Sequence, residues 1–267
     1  MAEINFVKYH GAGNDFVIID ERQGNLAQLL DTKAVAFICH RHFGIGADGL
    51  MRLQESSSAD FYMKYYNADG NESSLCGNGS RCIVAFAKRL GIIQDYANFE
   101  TSDGAHEAWI APDGEVKLRM HIPHGHNSID NANHFIDTGS PHHVRFVEES
   151  NINDLDVVNE GTSLRYSDRY APGGANINFV NVDVDAPLSL NVRTYERGVE
   201  NETLSCGTGV TACAYVHLLK NQLADGKVEI RTPGGNLAVD IRGRGTTKEE
   251  VFLIGPAQFV FAGTVTV

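Results

Sequence analysis

The chain has 267 residues, 42% hydrophobic and 21% charged, with a net charge of −12. That composition belongs to a folded globular protein rather than a disordered one, and the length suits one large domain or two of about 130 residues each. The acidic balance and the lack of any Lys/Arg run argue against nucleic acid as a partner, and no stretch approaches the ~18 apolar residues of a membrane-spanning helix. Met1 to His10 carries neither the basic nor the apolar region of an export signal. With five cysteines, an odd number, the expectation is a cytoplasmic protein with reduced thiols.

Ile4–Val7 reads as a strand, followed by a glycine turn and a second strand at Phe16–Ile19. Gly11-Ala12-Gly13 resembles half a dinucleotide fingerprint. The third glycine is absent, Phe16 standing in its place, and strand follows again, so a Rossmann reading is weak. A helix is expected from Ala27 to His40, and Gly44 to Gly49 reads as a turn. Phe61, Met63 and Tyr65 alternate as in a strand. A second helix is expected over Ser80–Leu90, closed by Lys88, Arg89 and then Gly91. Val116, Leu118 and Met120 form another alternating strand. Residues 121–143 hold six histidines: His121, His124, His126, His134, His142 and His143. The first three fall in a Gly/Asn-rich stretch that reads as loop, with no matching carboxylate spacing, so no metal site is assigned. A third helix is expected over Val210–Leu223, then strands at Val228–Ile230, Leu237–Ile241 and Phe259–Val267.

The second and third helices carry Ile83 to Ala87 and Ala212 to Val216 without one clean apolar stripe, the pattern of a helix buried on most sides. Both follow the same motif. One copy reads Glu72-Ser-Ser-Leu-Cys76-Gly77-Asn78-Gly79, the other Glu202-Thr-Leu-Ser-Cys206-Gly207-Thr208-Gly209, 130 positions apart. Two similar halves follow. We expect an α/β (α+β) fold of two pseudo-symmetric halves, each a mixed, curled sheet around a central buried helix, with the active site in the cleft between them. The halves are residues 1–122 plus about 257–267 and residues 123–256, with the join in the His/Asn/Gly/Asp-rich segment 123–133.

The motif has a chemical meaning. Glycines after the cysteine allow close backbone approach to a ligand. The helix that follows points free N–H groups and its positive end at the same place, which suits a carboxylate and favours a thiolate. Two such stations acting on one amino acid make a machine for inverting an α-carbon: one thiolate removes the proton and the other thiol returns one to the opposite face, while the amides stabilise charge on the carboxylate. The bland alternative, a helix-start turn with a small apolar cysteine, suits one copy better than two. Cys82 and Cys213, inside the helices, and Cys39 read as core residues. Arg197 offers a bidentate fork for a second carboxylate or a partner for a surface salt bridge; spacing alone leaves these even. Asn14, Asn67 and Asn176 lie in turn-like stretches, where turn formation is an ordinary role.

These segments together resemble the diaminopimelate epimerase family. The resemblance runs through Lys8-Tyr-His-Gly-Ala-Gly-Asn14-Asp15-Phe16, Arg41-His-Phe-Gly-Ile-Gly-Ala-Asp48-Gly49, Tyr66-Asn67-Ala-Asp-Gly70, Cys76-Gly-Asn-Gly-Ser-Arg81-Cys82, Gly139-Ser-Pro-His142, Asn176-Ile-Asn-Phe179 and Glu196-Arg197-Gly198, leading to Cys206-Gly-Thr-Gly209. It implies that Cys76 and Cys206 are the two bases, assisted by His142 and Glu196. It further implies that Gly77-Asn78 and Gly207-Thr208 hold the reacting carboxylate. Asn67, Asn176 and Arg197 would hold the distal carboxylate and amine, and Asn14 would touch substrate. It implies a homodimer and no cofactor. Two positions depart from some family members: Gly49 where they carry Gln, and Ser140 where they carry Asn. Val199-Glu200-Asn201 reads as a short insertion before Cys206. A proline or hydroxyproline racemase of the same fold is the alternative enzyme, though such relatives usually place His where this chain has Asn78. A non-catalytic thiol-redox or ligand-binding protein is the alternative of another class.

Overall fold

A computed structural model describes residues 2–24, 26, 28–148 and 152–267. The chain forms two units, Met1–Leu118 with Gly255–Val267, and Arg119–Ile254. In chain order the elements are β1 (Glu3–Gly11), β2 (Asn14–Asp20), α1 (Thr32–Cys39), β3 (Gly49–Gln54), β4 (Phe61–Asn67), β5 (Glu72–Ser73), α2 (Gly77–Arg89), β6 (Tyr96–Thr101), β7 (Gly104–Ile110), β8 (Val116–Arg119), β9 (His124–Ser128), β10 (Asn133–Asp137), β11 (Pro141–Phe146), α3 (Val157–Arg165), β12 (Asn176–Val182), β13 (Ser189–Glu196), β14 (Asn201–Thr203), α4 (Gly207–Lys220), β15 (Gly226–Thr232), β16 (Gly235–Arg242), β17 (Glu250–Gly255) and β18 (Gln258–Thr266).

In the first unit β18 pairs antiparallel with β1, β1 antiparallel with β2, and β2 parallel with β3. Then β3 runs antiparallel to β4, which pairs with the short β5 and, in parallel, with β6; β7 and β8 follow antiparallel. The second unit repeats this ladder step for step, from β9 through β10, β11, β12, β13 with β14, β15 and β16 to β17. Each parallel pair needs a crossover, and a helix supplies it at the same two places in both units: α1 and α2 in one, α3 and α4 in the other. The one difference of connectivity is that the outermost strand of the first ladder is the last strand of the chain.

The middle strands are buried on both faces, which explains their continuous apolar runs. In β2, Val17 and Ile19 pack with Val35 and Ile38 of α1, while Phe16 approaches α2 at Gly79. In β12, Ile177 and Phe179 pack with Val157 of α3, and Asn178 approaches α4 at Gly209. Most of α2 and α4 is buried. Each large apolar side chain removed from water in this way contributes about 1.5–3 kcal/mol.

Several sequence expectations need correction. The first helix covers Thr32–Cys39 rather than Ala27–His40; Asp31 caps it by accepting from the Ala34 amide at 2.8 Å, and Ala27 lies outside the described residues. The helices after the two cysteines begin three residues earlier than expected, at Gly77 and Gly207, because both glycines are the first helical residues. His124 and His126 are not in a loop but in the exposed strand β9, which pairs with β10. Asn201 belongs to β14, so Val199 and Glu200 form a turn clamped by Arg165 on Glu200 at 3.0 Å. Helix α3 has no counterpart among the expected elements, its apolar residues being too sparse for a helical stripe. No helix among the described residues is long and apolar enough to cross a membrane.

Candidate active site

Cys76 and Cys206 are the N-cap residues of α2 and α4, with nearly the same extended backbone: φ −115°, ψ 114° and φ −124°, ψ 111°. Neither thiol caps its helix. The first helical bonds run from the Ser80 amide to Cys76 O at 2.7 Å and from the Val210 amide to Cys206 O at 2.9 Å. The amides of residues 77–79 and 207–209 therefore stand outside the helices' own bonding, as an anion site requires. The repeated glutamates belong to the scaffold. Glu72 pairs with Lys64 at 3.1 Å and Glu202 with Arg193 at 2.7 Å, each tying a short strand to its neighbour.

In the first unit a chain of polar contacts converges on Cys76. Asn14 follows a two-residue hairpin turn, Ala12 and Gly13, both at positive φ; the glycines of that stretch serve the hairpin, not a nucleotide. Asn14 Nδ2 donates to Asp48 Oδ2 at 2.7 Å, which turns Asn14 Oδ1 toward Cys76 Sγ at 3.7 Å and Asn78 Nδ2 at 3.2 Å. Asn78 Oδ1 in turn accepts from Arg81 Nη2 at 2.8 Å. Arg81 is fully buried and also reaches Gly77 O and Pro256 O. At the other end Arg41 bridges Asp48 and Asp15, and Lys8 pairs with Asp15 at 2.7 Å. Burial alone would raise the Asp15 carboxyl; the hydrogen bonds and charges of Arg41 and Lys8 overcome this and hold it at about 2. The glycine loop 44–49 thus does more than turn the chain, since it carries Asp48. Gly49 itself has no room for a side chain: an added Cβ would lie 2.6 Å from Tyr65 Cε2 and from Tyr66 O. Asn67 is exposed at the end of β4, in register with Gly49.

In the second unit the strand register puts the corresponding positions in the same rows. Phe16, Gly49 and Asn67 occupy one row of the first ladder. His142 and Asn176 occupy its equivalent, with Glu196 one step beyond the Ile177–Tyr195 pair. Cys206 Sγ is 3.5 Å from Thr208 Oγ1, and Thr208 O accepts from Thr138 Oγ1 at 3.1 Å. Glu196 Oε2 accepts from Thr203 Oγ1 at 2.9 Å. The Asn176 amide is spent within the unit: Nδ2 donates to Ser140 Oγ at 2.9 Å and Pro141 O at 3.1 Å, and Oδ1 accepts from the Arg197 amide at 2.9 Å. Asn176 therefore braces the backbone that presents Arg197. Among the described residues the exposed Arg197 side chain makes one hydrogen bond, to Gly173 O at 3.5 Å, and no ion pair. The surface salt bridge thus does not form among the described residues.

Cys39, Cys82 and Cys213 are buried and away from helix starts. Burial pushes Cys39 up to about 12 and raises Cys82 and Cys213 as well, so none serves as a thiolate. No group of three or more His, Cys, Asp or Glu among the described residues is arranged to hold a metal. Sequence reasoning gave no role to Asp48, Arg81, Asn178 or Thr194. The available signals were an arginine directly before the apolar stretch of a helix and an asparagine inside an apolar strand.

The architecture is shared with a phenazine biosynthesis protein of the PhzF family from Bacillus anthracis (TM-score 0.79, 15% identity, 100% of both chains). It is shared too with a hydroxyproline epimerase from Agrobacterium vitis (TM-score 0.69, 15% identity, 98% of this chain and 92% of that one). At such identities the likeness defines the fold class. The family is defined by sequence: the diaminopimelate epimerase model matches residues 6–123 and 134–260, and the chain belongs to that family. Diaminopimelate epimerase of Flavobacterium psychrophilum is 46% identical, over 97% of this chain and 98% of its own. That of Chlorobaculum tepidum is 40% identical, over 96% and 99%.

Proposed function

We propose that this protein epimerises LL-2,6-diaminopimelate to meso-diaminopimelate with two bases, Cys76 and Cys206, one contributed by each unit. One thiolate removes the α-proton, and the other thiol protonates the opposite face. The α-carboxylate takes up negative charge as the proton leaves, and the first-turn amides at Gly77-Asn78 and Gly207-Thr208 are the donors for it. Asn14 orients Cys76, while His142 and Glu196 attend the reacting centre. Arg197 takes the distal carboxylate, with Asn67 and Asn176 supporting the unreactive amino-acid head. The reaction draws on no cofactor. The product serves lysine and peptidoglycan precursor synthesis, the enzyme works in the cytoplasm, and it assembles as a homodimer.

The observation that carries this reading is the duplicated station: a cysteine N-cap with one backbone conformation, at equivalent points of two equivalent ladders, in a chain of the diaminopimelate epimerase family. The open Arg197 fork supports a substrate with a second carboxylate. The test is direct. Purified protein is incubated with LL-diaminopimelate, proline and hydroxyproline in parallel, and stereoisomers are separated over time. Conversion of diaminopimelate alone is expected, and Arg197→Met should raise KM far more than it lowers kcat. Turnover of proline at a comparable rate would transfer the assignment to a proline-type racemase. Binding of diaminopimelate without isomer exchange would make the protein a binding module.

A further inference from the structure

The two ladders differ in chemistry at one set of equivalent positions. In the first unit, Phe16, Met51 and Tyr65 fill the space beside the last glycine of the motif: a Cβ on Gly79 would meet Met51 Sδ at 3.2 Å and Phe16 Cε1 at 3.4 Å, and Phe16 and Tyr65 pack edge to face. The strand registers put His142, Asn178 and Thr194 at the equivalent positions of the second unit. These are 0%, 0% and 3% exposed. A Cβ on Gly209, the counterpart of Gly79, would lie 2.4 Å from Asn178 Oδ1 and 3.3 Å from Cys206 Sγ. An apolar trio has thus been replaced by a buried polar one beside a proposed catalytic thiol. Burying three polar side chains is unfavourable unless each is bonded.

Their bonding leaves little freedom. Asn178 Nδ2 lies 2.9 Å from His143 O, and a backbone carbonyl only accepts, so the nitrogen of this amide is identified without ambiguity. Its other hydrogen points to His142 Nδ1 at 3.1 Å, and Asn178 Oδ1 accepts from Thr194 Oγ1 at 3.0 Å. His142 Nδ1 is therefore an acceptor, and the ring proton must sit on Nε2. That Nε2 is cut off from solvent and has no hydrogen-bond partner among the described residues. A buried donor without an acceptor is rare and points to a group the chain does not itself provide.

We propose that Asn178, held by Thr194, is a positioning residue that locks His142 in the neutral Nε2–H tautomer, so that His142 meets the bound amino acid as a hydrogen-bond donor and not as a proton acceptor. The donor role rests on the proposed epimerase function; the tautomer lock does not. The ring stays neutral because burial disfavours its charged form and the Arg197 charge adds to that. The assignment leaves proton removal to the two thiols and gives His142 the task of binding a lone pair that gains charge in the reaction.

The test separates the two claims. Nitrogen-15 histidine-labelled protein near neutral pH reports each ring's tautomer by two-bond proton–nitrogen spectra, and the signal lost in His142→Gln identifies His142. The wild type is expected to show Nε2–H, Nδ1 bare. In Asn178→Asp a carboxylate takes the place of the donor, accepts from Nδ1–H and inverts the tautomer; kcat should fall about 10²-fold with little change in KM. In Asn178→Ala the tautomers should mix, with a smaller fall. A wild-type His142 that is Nδ1–H or charged near neutral pH overturns the lock. An inverted tautomer in Asn178→Asp with kcat unchanged overturns the donor role. A wild type with Nε2–H intact but no turnover of diaminopimelate upholds the lock and overturns the epimerase reading instead.

Discussion

Arg81 Nη2 donates to Asn78 Oδ1 at 2.8 Å from a fully buried position. Because a guanidinium only donates, this contact fixes which end of the Asn78 amide faces Asn14, and so sets the acceptor presented to Cys76. No carboxylate pairs with Arg81 among the described residues. Arg81→Met should accordingly separate activity from stability. It removes a charge-assisted hydrogen bond worth about 1.5–3 kcal/mol, but also relieves a desolvation cost of several kcal/mol. We expect a melting temperature equal to or above that of the wild type and kcat down about 10²-fold. A variant that unfolds more easily while its folded fraction turns over at the wild-type rate would contradict this role.

Four of the five thiols should divide into two groups. Cys76→Ser and Cys206→Ser are expected to lose nearly all epimerisation while melting like the wild type. Cys82→Ser and Cys213→Ser place a hydroxyl in a fully buried site, which costs about 1–3 kcal/mol, and should leave kcat of the folded fraction intact. Parallel melting curves and isomer assays check both halves.

The motif glycines should differ in their tolerance of alanine. A methyl at Gly79 meets the end of the flexible Met51 side chain at 3.2 Å, which can yield, whereas at Gly209 it meets the bonded Asn178 amide at 2.4 Å. Gly79→Ala should be mild and Gly209→Ala severe in both stability and kcat. Equal effects would show that the Asn178 amide is not held as described.

Acid should destabilise the protein well before its carboxylates titrate. Burial, with Arg197 adding, pushes His142 down to about 3; burial, with Arg145 and Arg169 adding, pushes His143 to about 4. Unfolded, both take up protons near the ordinary value of about 6.5. Between these values the unfolded state holds more protons, so stability is fully present above about 6.5 and falls with acid by up to about 1.4 kcal/mol per pH unit for each histidine. Urea unfolding from about pH 7 to about pH 5 should show this slope, and His143→Gln should make it shallower. A flat profile would mean that these rings are charged or solvated in the folded protein.

Much of this was legible in the sequence, for physical reasons. The duplicated Cys-Gly-x-Gly motif announced both helices, though each starts three residues before the expected position, and the alternating runs at Phe61–Tyr65 and Leu237–Ile241 gave their strands. Helix α3 was missed because its apolar residues are few, and strands β9 to β11 because histidine and asparagine interrupt their apolar pattern; the buried strands β3, β12, β13 and β17, with β6 and β7, were not named either. The site was half legible. Cys76 and Cys206 stand out by repetition. The parts played by Asp48, Arg81, Asn178 and Thr194 depend on which side chains strand register brings together, and sequence spacing does not reveal that.

The central claim, two thiols with separate duties, is tested most directly by starting the reaction of LL-diaminopimelate in heavy water and analysing product and remaining substrate at early times. The thiol that delivers the proton exchanges with solvent between turnovers, while the proton taken by the other is returned preferentially to the face it left. Early meso product should therefore carry deuterium at the inverted carbon, and recovered LL substrate should carry much less. Early product that keeps its original hydrogen at that carbon would contradict the two-base account, whatever the cysteine variants show.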